Sequence, residues 1–128
     1  MKKSSYAAGL IGLAALCLCA FTIQAAEPVA LRVVTVQTSD VAAYVNEIDK
    51  GKAIMKKLGS PATIRVWQAR FAGEQAGIVI VSVEFPDLAA VAADDERLGA
   101  SAEFQSWLKG LDKIRTIVSD SLYMERTP

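Results

Sequence analysis

Arg65 and Trp67 stand two residues apart in the run Thr63-Ile-Arg-Val-Trp-Gln-Ala-Arg-Phe71, and on an extended strand that spacing puts both side chains on one face. A guanidinium beside an indole suits an anionic aromatic ligand, the first pairing with a carboxylate or phenolate and the second stacking on the ring. Glu84 ends a second β-branched run, Ile78-Val-Ile-Val-Ser-Val-Glu-Phe85, in register with Ile78, Ile80 and Ser82. Buried there, it would serve as a proton-transfer group. Ser119, Ser121 and Tyr123 alternate onto one face of a final run and supply hydroxyls. The catalytic candidates are therefore Glu84 and Tyr123, and the ligand-binding candidates are Arg65, Trp67, Ser82 and Ser121. Each has a plainer alternative: Trp67 filling a dimer core, Arg65 pairing with Glu84, and the last strand being an ordinary amphipathic edge.

The 128 residues contain no histidine, which excludes a His-based triad, a His-ligated haem, a HExxH metal site and a histidine general base. Asp94, Asp95 and Glu96 are consecutive, so on a helix they splay over most of a turn and read as a solvated face. No metal and no cofactor is implied. Lys50, Lys52, Lys56 and Lys57 make one helix end basic, which complements the helix dipole.

The elements that must position these groups follow from pattern. Leu31 to Gln37 reads as a strand, with Ser39 or Asp40 as the N-cap of a long amphipathic helix carrying Tyr44, Ile48, Met55 and Leu58, interrupted by Gly51 and ended at Gly59. Tyr44 is expected in the core with its hydroxyl at the rim. Residues 63–71 and 78–85 form a β-hairpin around a glycine-containing turn. Pro86-Asp87 opens a second helix with Leu88, Val91, Ala92 and Leu98 on one face, broken at Gly99. Ser101 caps a third, where Phe104, Trp107, Leu108 and Leu111 recur at helical spacing, and Trp107 is expected to pack on the sheet. Residues 115–126 form the closing strand. The order is β-α-β-β-α-β with the second helix broken, an α+β, ferredoxin-like arrangement with an antiparallel sheet.

Lys2, Lys3, an apolar stretch from Ala7 to Ile23 and the small residues Ala25 and Ala26 match a secretory signal spanning residues 1–26. Residues 27–128 then form a single domain, periplasmic or secreted, without stable membrane anchoring once the signal is cleaved. Its charge would be −2, since twelve basic residues would face fourteen acidic ones, and no nucleic-acid face is implied. Cys17 and Cys19 leave with the signal, so packing alone must hold the domain. A sheet with helices on one side leaves its other face open, and Ile78 and Ile80 make that face apolar. Two such sheets packed across a dimer axis would cover it and enclose a space.

With this element order, the strand Thr63 to Phe71, the hairpin before Ile78 to Phe85 and the Pro86-Asp87-Leu88-Ala89-Ala90 helix opening, the chain resembles the dimeric α+β barrel superfamily. Within it, the chain is most similar to NIPSNAP-like and stress-responsive Dabb-type small domains. The resemblance implies a dimeric barrel and a homodimer. It also implies a range of activities, among them cofactor-independent oxygenation of phenols and quinols, haem degradation, lactone isomerisation and dehydration, so fold does not choose a reaction. The expected function is an exported homodimer binding a small aromatic or anionic ligand in the barrel. The alternative is a cofactor-independent monooxygenase or isomerase of a small aromatic or quinone-like substrate.

Overall fold

The computed structural model describes residues 29–71 and 73–126; the expected signal, residues 1–26, lies outside them. Strand β1 (Ala30–Gln37) leads into helix α1 (Val41–Lys57), followed by β2 (Thr63–Gln68), β3 (Val79–Phe85), α2 (Leu88–Gly99), α3 (Ala102–Leu111) and β4 (Thr116–Met124). A single 3-10 turn, Gly73–Gln75, sits in the β2–β3 hairpin.

The helix starts follow from side-chain chemistry. Asp40, Asp87 and Ser101 each occupy an extended N-cap and accept a hydrogen bond from the backbone N–H three residues on, at 2.9, 2.7 and 3.2 Å. Such a bond satisfies one of the donors that the first turn leaves unpaired. At its other end α1 stops at Gly59, whose φ of 79° is left-handed, with the Gly59 N–H donating to Lys56 O and the Ser60 N–H to Met55 O. Together these two bonds form a Schellman cap.

The four strands pair antiparallel in the order β2-β3-β1-β4, so the chain has a ferredoxin-like α+β fold in which the broken second helix is two helices. Strand alternation sorts the residues. Val34 and Val36 of β1, Val79, Val81, Val83 and Phe85 of β3, and Ile64 and Val66 of β2 form the side that packs against the helices. Tyr44 and Ile48 of α1 and Leu111 of α3 close on Val36, Val79 and Val81, while Val91 of α2 meets Ala30 and Phe85. Fully burying each such aliphatic side chain stabilises the domain by about 1.5–3 kcal/mol.

Five side chains depart from the sequence-based expectation, the simplest being Ala92, which is exposed and not on the inward stripe of α2. Asp94 is fully buried, because it shares the inward stripe of α2 with Val91 and Leu98; its charge is met by Arg97 Nη1 at 2.6 Å and by the Ser60 hydroxyl at 2.7 Å. Leu88, expected on that stripe, lies in the first turn of the helix and is half exposed. Tyr44 is fully buried, and its hydroxyl is in the interior rather than at the rim, with no hydrogen-bond partner among the described residues. Trp107 lies with its indole against Gly51 of α1, since its N–H finds an acceptor there, the carbonyl of Glu47 at 2.9 Å.

Candidate functional site

The face of the sheet away from the helices carries all six residues singled out in the sequence. In the strand registers Arg65 pairs with Ser82, Ser82 with Val33, and Val33 with Ser121, forming one row across the sheet. A neighbouring row runs Thr63, Glu84, Leu31, Tyr123, and the next runs Trp67, Ile80, Thr35, Ser119. The Trp67 indole N–H donates to the Ser82 hydroxyl at 2.8 Å, and Arg65 Nη1 stands 3.8 Å from Glu84 Oε2. Trp67 and Tyr123 are 53% and 56% exposed, so in a single chain this face is a surface and not an enclosure.

A cavity of about 470 Å³ lies on the other side, between sheet and helices, and none of those six residues lines it. Its floor is Val34, Ile64, Val81, Val83 and Phe85; its roof is Ile48, Met55, Leu98, Phe104, Trp107 and Leu108. The floor faces the helices by alternation, and the roof collects the apolar stripes of all three helices. No helix covers β4. Ile117 and Leu122, whose strand positions pair with the helix-facing Val36 and Arg32, stay 47% and 48% exposed.

Most charged groups of the wall are already paired. Arg32 grips Asp120 through Nε at 2.9 Å and Nη2 at 2.6 Å. That bond holds the Asp120 carboxyl below its ordinary range and the Arg32 guanidinium above its own, while burial opposes each shift. Arg115 contacts Asp112 at 3.0 and 2.8 Å, and Lys52 reaches Asp49 at 3.0 Å. Asp95 has only a 4.0 Å contact with Arg32. Every cation of the wall thus holds a carboxylate at close range, so an anionic ligand would have to displace one. The space suits an uncharged, largely apolar molecule, and its volume is several times the roughly 150 Å³ that admits a benzene ring. Among the described residues no three His, Cys, Asp or Glu side chains converge as a metal ion would require.

Two signals in the sequence could have pointed here. Arg32 and Asp120 are lone charges at positions where alternation calls for apolar side chains, and Gly51 falls on the buried stripe Tyr44, Ile48, Met55, where only a close neighbour explains a glycine.

Neither a protein-family profile nor any curated protein matches the sequence. Solved structures do. A NIPSNAP family protein from Agrobacterium tumefaciens superposes with a TM-score of 0.60 at 15% identity, over 79% of this chain and 85% of its own. A NIPSNAP domain protein from Burkholderia xenovorans gives 0.59 at 14%, over 80% and 95%. SnoaB, a cofactor-independent oxygenase from Streptomyces nogalater, gives 0.56 at 14%, over 80% and 97%. The chain shares their ferredoxin-like α+β fold. At these identities the likeness concerns the path of the backbone, and the residues of the cavity must be read on their own chemistry.

Proposed function

We propose that the chain is an exported, homodimeric, small-molecule-binding α+β domain that holds an uncharged, largely apolar ligand between its helices and its sheet. The cavity of about 470 Å³ carries this reading, because a concave, mostly apolar cleft with a few polar groups at its border is the usual form of a small-molecule site. Its apolar floor and roof supply affinity, and the paired charges beside β4 set a polar rim.

Homodimer formation is supported by the open sheet face, where Leu31, Val33, Ile80, Trp67 and Tyr123 make an apolar surface of the kind that marks an interaction site. In such a dimer Arg65, Ser82, Glu84 and Ser121 would face the partner sheet, and a small aromatic or anionic ligand enclosed there would meet them. The signal-like residues 1–26 support a periplasmic or secreted location. Among the described residues no helix is long and apolar enough to cross a membrane.

The test is titration of the exported protein with N-phenyl-1-naphthylamine, an uncharged probe that fluoresces in apolar surroundings. Saturable binding of one probe per chain is expected, lost in Val34→Phe, which fills the floor. Absence of any fluorescence gain in the wild type overturns the reading. A second reading, a cofactor-independent monooxygenase or isomerase, draws support from the fold shared with SnoaB. Such chemistry asks the protein only to deprotonate, orient and desolvate its substrate, and Asp95 is the wall carboxylate without a close ion pair. Dioxygen uptake in the presence of a bound quinol would favour oxygenation.

A further inference from the structure

We propose that Gly51, acting through Trp107, sets the largest ligand that the cavity admits; this rests on the reading of the cavity as a ligand site. Gly51 lies inside α1 and has no left-handed backbone to explain a glycine, since the positive φ angles belong to Gly59, Gly73 and Gly77. A glycine weakens a helix interior, so its presence here calls for another cause. The cause is space. A Cβ at this position would stand 2.1 Å from Trp107 Cζ2, 2.5 Å from Cη2 and 2.6 Å from Cε2, far inside contact distance.

Two contacts restrict how the indole can give way. Its Nε1–H donates to the carbonyl of Glu47, one turn earlier on α1, at 2.9 Å, and the Phe104 ring lies 5.2 Å from it on α3. Trp107 is thus tethered against the helix at the one residue where the helix has no side chain. Gly51 and Trp107 both border the cavity, so a displaced indole has the ligand space beside it. Any side chain at position 51 drives the ring into that space and shortens it. Gly51 is therefore a positioning residue for the cavity wall, and Trp107 is the movable part of that wall.

The experiment compares two uncharged probes of different size, toluene and N-phenyl-1-naphthylamine, on wild type, Gly51→Ala, Trp107→Leu and the double variant, all as the full exported chain. Wild type is expected to bind both. Gly51→Ala should lose at least tenfold in affinity for the naphthylamine while its affinity for toluene stays within threefold, and the double variant should regain the naphthylamine. Trp107→Leu should admit pyrene, which the wild type excludes. It tests the idea even where Gly51→Ala does not fold. Unchanged selectivity in Gly51→Ala, failure of the double variant to regain the larger probe, or no gain of pyrene by Trp107→Leu overturns the inference and leaves the cavity reading standing. Failure of the wild type to bind either probe overturns the cavity reading, and this inference with it.

Discussion

Arg32 and Asp120 stand on the helix-facing side of β1 and β4, in the rows of apolar residues that the strand alternation leads one to expect there, and each is about half buried. Their bond depresses the folded-state pKa of Asp120 below its ordinary value of 3.8, the Arg32 hydrogen bond being the main cause. A depressed carboxylate contributes stability that is fully present above the unfolded value and disappears as pH falls through the folded one. Asp120→Asn is therefore expected to cost under about 1 kcal/mol at neutral pH, a modest figure because water screens the pair. The cost should fade below pH 3.8. Urea denaturation of both proteins at neutral and strongly acidic pH checks this, and a gap that stays constant in acid would mean that the ion pair is not its source.

Helices and strands were largely legible from the chain because the signals are local. The alternation in Val79 to Phe85 and the caps at Asp87 and Ser101 each depend on neighbours within a few residues. The break between α2 and α3 is one such case, since Ser101 begins a new helix immediately after the first has ended at Gly99. Asp94 was not legible in this way. Three consecutive acidic residues read as a solvated run, and only the placement of Ser60 and Arg97 makes burial of the first of them tolerable. The register irregularity between β1 and β4, where Thr35 pairs with Ser119 but Val36 with Ile117, likewise arises from pairing across distant parts of the chain. At this scale the cap of α1 gives a direct test. Asp40→Ala removes the acceptor for the Ala43 N–H and should cost about 1 kcal/mol, most of it restored by Asp40→Asn, as read from thermal unfolding midpoints.

Across the whole molecule, which side chains share the open face could be read from the period of two along each strand, and Arg65, Trp67, Ser82, Glu84, Ser121 and Tyr123 do stand together. The cavity could not be read so. Arg32, Asp120 and Gly51 mark its border in the sequence, but its extent does not show there: among the described residues three helices roof β1 and β3 and leave β4 bare, a matter of how packed layers overlap. The proposed dimer is tested at this level. Ile80→Lys puts a charge in the middle of the open face and is expected to turn a dimer into a monomer by light scattering, with the helical circular dichroism unchanged. A wild-type chain that is monomeric throughout a dilution series would remove the open face as a self-association surface.

The sheet separates the two sides by no more than the thickness of one backbone. Val34 lies in the cavity floor and Val33 on the open face; Val81 and Ser82 divide in the same way. A molecule lodged beneath the helices and a chain docked on the far side would press on alternate residues of the same strands. The four strands would then act as a party wall: a shift of one strand along its axis would reach both occupants at once, and cooperation between them would need no hinge or moving loop to pass through.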